Sequence, residues 1–362
     1  MKVGFRTDAS LQIGSGHVYR CLTLADALAA KGATCVFFCR PHDGNLMDFI
    51  DVRGHSVIAL GKPSQAKAEA DNHVTWLGTT WETDAKETVD AVAGIKPDWL
   101  VVDHYALDAR WEHMLRPACS RLMVIDDLAD VPHECDLLVN QNLGRALEDY
   151  AGLIPVGATA LLGPDYALLL PEFATLRPES LAKRAADPVL RRILVTLGGV
   201  DKDDATTRVL DALNGSALSD DVTVTIVMGP HAPWLNRVRD RAASMRLPAE
   251  VRIGVRDMAR LMAESDLSIG AGGSTTWERC ALGLPSVTVV IAENQRSIAK
   301  ALEKAGGTIS SYNSADCGRE IRALLARDEL NEALVQMSRS AARITDGNGA
   351  ARVVERMEVS NA

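Results

Sequence analysis

The stretch Ser265-Asp266-Leu267-Ser268-Ile269-Gly270-Ala271-Gly272-Gly273-Ser274-Thr275-Thr276-Trp277-Glu278-Arg279-Cys280-Ala281-Leu282-Gly283-Leu284-Pro285 reads as a buried strand, a glycine and hydroxyl turn, and a helix. Such a turn offers free backbone N–H groups, the Ser274 and Thr275 hydroxyls and the positive end of a helix to a diphosphate. Gly272 and Gly273 let the ligand approach the backbone, and Glu278, one turn into the helix, is placed to grip ribose hydroxyls. The same residues also suit a plain turn with a Ser or Thr cap and a first-turn Glu that favours the helix dipole.

Outward from this segment the same grammar repeats. Short runs rich in Val, Ile and Leu alternate with longer stretches of helical period, as buried parallel strands and their crossover helices do. Strands are expected at Lys2 to Arg6, Thr34 to Cys39, Ser56 to Leu60, Trp99 to Asp103 and Leu122 to Asp126. A second series covers Arg192 to Thr196, Val222 to Val227, Val251 to Ile253, Leu267 to Gly270 and Ser286 to Ile291. The class is α/β, with two Rossmann-like doubly wound domains over 1–170 and 191–345. Pro171, Pro178 and Pro188 among charged residues predict a linker over 171–190. Residues 62–80 read as an insertion loop, and 346–362 as a tail able to pack on either domain.

The chain has 362 residues with 39 Lys and Arg against 48 Asp and Glu, a net charge of −9 that disfavours nucleic acid as a partner. Seven cysteines, scattered and without a CxxC, suggest reduced thiols and a cytoplasmic protein. No apolar run approaches the roughly 20 residues of a membrane span. No metal-ligand spacing is present among the eight histidines. Neither metal nor cofactor is expected, and nothing in the sequence specifies an oligomeric state.

The first strand runs into Thr7-Asp8-Ala9-Ser10-Leu11-Gln12-Ile13-Gly14-Ser15-Gly16-His17, followed by a helical pattern from Val18. Gly14, Ser15 and Gly16 form a phosphate-type turn, although His17 to Tyr19 stand where a dinucleotide fingerprint has its third glycine. His17, in the first helical turn, has the position of a general base. Capping or packing explains it equally well on position alone. Arg6 and Asp8 end the same strand, where open α/β sheets gather ligands, and Asp8 either orients His17 or caps a turn.

Other strands end in polar groups too. Asp103, His104 and Tyr105 close one, Asp126 and Asp127 the next, and Asn140 to Asn142 a third. Adjacent Asp126 and Asp127 point to opposite faces, which speaks against a paired-carboxylate site. Gly198 and Gly199 form a further glycine loop in the second half. Asn294 and Gln295 follow its last strand, with amides suited to phosphate oxygens and sugar hydroxyls or to a helix cap. All these loops are expected to converge on one cleft between the two domains.

The blocks FRTDASLQIGSGHVYRCLTLADAL, VVDHY, VIDDLAD, CDLLVNQN, LGPDYALLLPEF and SIGAGGSTTWERCALGLPSVTVVIAENQ, spread from Phe5 to Gln295, together resemble one enzyme family. It is the UDP-2,4-diacetamido-2,4,6-trideoxy-β-L-altropyranose hydrolases of pseudaminic acid biosynthesis, related by fold to the GT-B-type transferase that makes lipid II. The resemblance implies a GT-B-like fold with UDP held mainly by the second domain, the sugar placed against the first, and metal-independent hydrolysis at the anomeric carbon. The family's catalytic histidine, in its GxGH motif, falls on His17, its acidic residue on Glu278 and its substrate-contacting asparagine on Asn294. Tyr105, Asn142 and Tyr166 are placed near the sugar by position. Spore-coat polysaccharide proteins resemble the same blocks, and a glycosyl transferase using the same UDP site is the rival reading.

Overall fold

The computed structural model describes residues 1–63, 73–230, 232–313, 315 and 317–360; residues 64–72 of the expected insertion lie outside the described residues. The chain divides into two compact units, one of Met1–Leu168 with Gly349–Ala362 and one of Leu169–Asn348.

Unit 1 contains seven strands, β1 (Lys2–Thr7), β2 (Thr34–Cys39), β3 (Ser56–Ala59), β4 (Trp99–Asp103), β5 (Arg121–Ile125), β6 (Leu137–Asn140) and β7 (Thr159–Leu162). They form one parallel sheet in the order β3-β2-β1-β4-β5-β6-β7. Its helices are α1 (Gly16–Ala29), α2 (Met47–Val52), α3 (Trp81–Ala93) and α4 (Ala109–Leu115). The central strands are buried along their length, as expected where helices cover both faces. One face packs Phe5 against Phe37, ring centroids 4.7 Å apart, over Val18, Cys21 and Leu24 of α1. The other packs Phe38, Leu100 and Trp111.

Unit 2 opens with α5 (Pro171–Ala186), then β8 (Arg192–Thr196), α6 (Ala205–Asn214), β9 (Thr223–Met228), α7 (Leu235–Ala243), β10 (Ala249–Ile253), α8 (Met258–Glu264) and β11 (Leu267–Ala271). It continues with α9 (Thr275–Ala281), β12 (Ser286–Val289), α10 (Gln295–Lys304), β13 (Thr308–Ser311), α11 (Gly318–Leu325) and α12 (Leu330–Ala342). The sheet is again parallel, in the order β10-β9-β8-β11-β12-β13. Each sheet thus has a switch point, between β1 and β4 in unit 1 and between β8 and β11 in unit 2. Loops leaving the carboxyl ends of such strand pairs part to opposite faces and open a crevice. No described helix is long and apolar enough to cross a membrane.

Two segments differ from expectation. The stretch 171–190 is no linker, since Pro171–Ala186 is a 16-residue helix. Pro171 sits at its first position, where a missing N–H costs nothing, and Pro178 removes one interior bond. Side chains offset that loss. Arg177 donates to the carbonyls of Ala281, Ala342 and Thr345, Ser180 to Leu282, and Arg184 to Ser265 and Met262. These are carbonyls at or just beyond the ends of α8, α9 and α12, which lack partners within their own helices. The tail, in turn, is the helix α13 (Gly349–Ser360) of unit 1. Its Ala350, Val353, Val354 and Met357 complete the apolar cluster under β1 and α1.

Met357→Ala is expected to destabilise the protein by about 2–5 kcal/mol through the cavity it leaves. The check is the denaturant midpoint at unchanged slope; an unchanged midpoint would mean that α13 contributes nothing to the core.

Candidate active site

The switch point of unit 1 brings together the end of β1 and the end of β4, with Thr7 in register with Asp103. Gly14, at φ +82°, and the Gly14 N–H bond to the Ser10 carbonyl turn the chain from β1 into α1. The first backbone bond reaching into α1 is donated by Tyr19 to Ser15, so the amides of Gly16 and His17 precede the helical ladder. Gly14, by contrast, has already committed its amide within the turn.

His17 occupies the second position of α1 and is buried. Its Nδ1 lies 2.6 Å from Oδ1 of Asp103. Arg20, one turn along α1, forks the same carboxylate, with Nε 2.7 Å from Oδ2 and NH2 2.7 Å from Oδ1. Cys21 Sγ donates to Oδ2 as well. Burial opposes the charge on Asp103, but Arg20 and then His17 hold its carboxyl well below the usual range. An ionised carboxylate only accepts, so His17 Nδ1 carries the proton. The 3.3 Å approach of Arg20 NH2 to Nδ1 is then two donors side by side on one acceptor, not a bond. Nε2 is left with the lone pair and has no partner among the described residues.

A second layer holds this group. Arg20 NH1 reaches Oδ2 of Asp127 at 2.7 Å, Tyr105 donates its hydroxyl to the same oxygen at 2.6 Å, and Asn142 donates to Oδ1 at 3.1 Å. Burial raises the Tyr105 phenol well above its ordinary value, and Asp127 adds to the effect, so it stays protonated as the donor. The Tyr105 ring meets His17 edge to face at 4.6 Å.

Several expected ligands prove structural. Arg6 and Asp8 are fully buried and paired at 2.8 Å. Arg6 also grips Asp84 of α3, while Asp8 accepts the Arg40 amide beyond β2. Neither is open to a sugar, and Asp103, not Asp8, orients His17. The cause is sheet order: Asp8 turns toward β2, whereas His17 faces β4. Asp103 is itself enclosed, a partner of His17 with no surface open to a ligand. His104 lies 3.6 Å from Asp8, and burial pushes its imidazole down to about 4. Asn142 is buried on Asp127, and Tyr166 packs at the edge of the core cluster under β1.

In unit 2 the switch point joins the loops after β8 and β11. Gly198, at φ +90°, precedes Gly199, whose carbonyl accepts the Gly229 N–H at 3.1 Å. Asp201 then caps α6 through the amides of Ala205 and Thr206. After β11, the first bond of the α9 turn runs from Thr276 N to Gly273 O, leaving the amides of Gly273, Ser274 and Thr275 ahead of the ladder. Gly272 differs, because Oε1 of Gln295 accepts its amide at 3.3 Å and that of Ile291 at 3.1 Å. Gln295 therefore braces the glycine loop. Asn294 stands exposed at the start of α10 with its side chain uncommitted to a cap.

Behind this loop lies Arg279, buried and bonded to Ala271 O, Thr275 Oγ1 and Thr276 Oγ1. Gly270 makes room for it, since a Cβ there would stand 2.4 Å from the guanidinium. Burial pushes Arg279 down to about 10. Glu278 is half-buried, its Oε2 enclosed and without a hydrogen bond. Burial pushes its carboxyl up to about 7, against the pull of Arg279.

Sequence reading placed Asp127 at a strand end but discounted it as half of a carboxylate pair, and it did not single out Arg20, His73 or Trp76. Arg20 carried a usable signal, three residues after His17 and so on the same helix face. The others depend on tertiary contacts. Among the described residues, no group of three or more His, Cys, Asp or Glu is placed to hold a metal ion.

Residues 192–356 match the glycosyltransferase family 28 C-terminal domain. The chain is 26% identical over 306 residues to the UDP-2,4-diacetamido-2,4,6-trideoxy-beta-L-altropyranose hydrolase of Campylobacter jejuni, 84% of this chain and 97% of that protein. It is 26% identical over 300 residues to an uncharacterized protein of Methanocaldococcus jannaschii, 82% of this chain but 57% of that one, so it spans little more than half that relative's length. Among solved structures, Acinetobacter baumannii MurG aligns over 99% of both chains with a TM-score of 0.68 at 14% identity. The fold is GT-B-like, with two parallel-sheet α/β domains.

Glu278 predicts a pH signature. Its folded carboxyl keeps a proton up to about 7, whereas the ordinary value is 4.5. Between these values the folded chain binds the extra proton, so stability falls as pH rises through the window. Glu278→Gln is expected to match wild type below the window and to exceed it in stability above it. Denaturant midpoints at both ends, without nucleotide, provide the check; a pH-independent difference would mean a solvated carboxyl.

Proposed function

We propose that this protein hydrolyses UDP-2,4-diacetamido-2,4,6-trideoxy-β-L-altropyranose to UDP and the free sugar, with inversion at the anomeric carbon, as a step of pseudaminic acid biosynthesis. The observation that carries the reading is the His17–Asp103 pair, a buried imidazole with its tautomer set by an ionised carboxylate and its other nitrogen without a partner among the described residues. A binding protein has no use for such a base. The Campylobacter jejuni relative, matched over nearly its whole length, supports the substrate class. The family 28 match over 192–356 supports unit 2 as the nucleotide-binding unit.

In this reading His17 Nε2 takes a proton from water as the water oxygen bonds to the anomeric carbon. The bond from that carbon to the diphosphate oxygen breaks, and UDP departs with the electron pair. Asp103 keeps Nδ1 protonated and stabilises the imidazolium as it forms, while Arg20 fixes the carboxylate. General-base assistance of this kind contributes about 10²–10⁴ in rate. The amides of Gly273, Ser274 and Thr275 receive the diphosphate, and Glu278 receives the ribose hydroxyls. Asn294, exposed beside that loop, is assigned to the substrate. Water activation rests on His17 alone, and the reading calls for neither metal nor cofactor.

The test is UDP release, without acceptor and with EDTA, from the diacetamido-trideoxy-altrose nucleotide, UDP-N-acetylglucosamine and UDP-bacillosamine. Release from the first alone is expected, lowered about 10²–10⁴-fold by His17→Ala and strongly by Asp103→Asn at unchanged KM. Release only after an acceptor is added would make the protein a glycosyl transferase and overturn the reading.

A further inference from the structure

Three rings close over the base of unit 1. The 3-10 turn His73–Leu77 carries His73 and Trp76, and its Leu77 is buried as an anchor. Trp76 lies at 6.5 Å from the His17 ring, edge to face, and is nearly parallel to Tyr105 at 5.8 Å. His73 touches both, at 4.5 Å from Trp76 and 5.1 Å from Tyr105. Tyr105 cannot swing aside, because its hydroxyl is tied to Asp127, which Arg20 and Asn142 also hold. The His17 side chain is left 9% exposed, with no partner for Nε2 among the described residues. The rings of Tyr105 and Trp76 thus stand edge to face beside an imidazole that is almost wholly buried, and His73 packs on both of them.

We propose that the wall of His73, Trp76 and Tyr105 determines the choice of nucleophile, admitting water to His17 Nε2 and excluding the hydroxyl of a larger acceptor. The inference rests on the hydrolase reading and adds to it the residues that keep a transferase-like fold hydrolytic. Chemically the two outcomes differ only in the attacking group. Water forms the C–OH of the free sugar, and an alcohol ROH forms a C–OR glycoside. In both cases the proton goes to His17 and UDP leaves with the bonding pair. Steric exclusion of a carbon chain is worth about tenfold or more per group refused, enough to decide the product.

The experiment compares wild type, Trp76→Ala, His73→Ala and Trp76→Phe in two measurements. The first is product partition, the ratio of alkyl glycoside to free sugar by mass spectrometry when methanol, ethanol or glycerol is added to the nucleotide-sugar reaction. The second is the rate at which diethyl pyrocarbonate modifies His17, read on its own peptide without substrate. Wild type and Trp76→Phe are expected to give free sugar almost alone and slow modification. Trp76→Ala is expected to raise the glycoside fraction about tenfold, more for methanol than for glycerol, and to speed modification of His17 several-fold, with His73→Ala following in the same direction. Unchanged modification in Trp76→Ala overturns the wall even if that variant has lost turnover, and so does unchanged partition if it retains it. Failure of wild type to release UDP without an acceptor would instead sink the hydrolase reading, and the modification rates would still report on the wall.

Discussion

One buried carboxylate organises unit 1. Asp103 sits at the end of β4, sealed from solvent, and an unpaired anion there would cost several kcal/mol. Its partners are His17, Arg20 and Cys21, at positions i, i+3 and i+4 of α1, so a single group docks one face of the helix against the strand. That docking sets the ring of His17 and determines which nitrogen keeps the lone pair. Arg20 is as dependent on Asp103 as Asp103 is on Arg20. Removal of either leaves the other charge buried, with only Asp127 remaining for the guanidinium.

A second cluster of charges, on the β1–β2 side, anchors the helix that follows His73 and Trp76. Asp84, in the first turns of α3, accepts from Arg6, Arg40 and the Trp111 indole. Arg40 in turn reaches Glu87 and the Gly61 carbonyl. Helix α3 is thereby fixed to the ends of β1 and β2. The turn bearing His73 and Trp76 ends only four residues before Trp81, where α3 begins, so the same charges anchor the chain immediately after it. The buried ion pairs that proved closed to substrate therefore serve the site indirectly, as its scaffold.

The parts legible in sequence are those governed by local pattern. Runs such as Trp99-Leu100-Val101-Val102 are apolar on both faces and could only be central parallel strands, and the glycine turns before His17 and Thr275 lie at strand ends as read. The identity of the partner of His17 was not local. Asp8 and Asp103 both end strands, and only the order β2-β1-β4 assigns one to Arg40 and the other to His17. Pro178 misled for a related reason. A proline argues against a helix interior by its own lost bond, but the carbonyls capped by Arg177 and Arg184 come from segments about 80 to 170 residues away. The short edge strand β7, half-buried and without a continuous apolar run, offered no such pattern.

Buried charge is handled in opposite ways around His17 in unit 1 and behind the glycine loop of unit 2. The charges around His17 are paired to completion, which fixes the ring in the geometry that the proposed proton transfer needs. In unit 2, Arg279 has no ion-pair partner among the described residues, its Nε is unbonded, and Oε2 of Glu278 beside it is enclosed without a donor. Burial drives both toward neutrality, with Arg279 pushed down to about 10 and Glu278 up to about 7. A ligand that brings hydroxyl donors to Glu278 and negative charge to the loop in front of Arg279 relieves both groups at once. The cost of leaving them unsatisfied in the free protein then returns as affinity on binding. A neutral ligand, or an anion lacking hydroxyls, would relieve only one of the two, so under the proposed function the incomplete charge balance of unit 2 favours a ligand that carries both hydroxyls and negative charge.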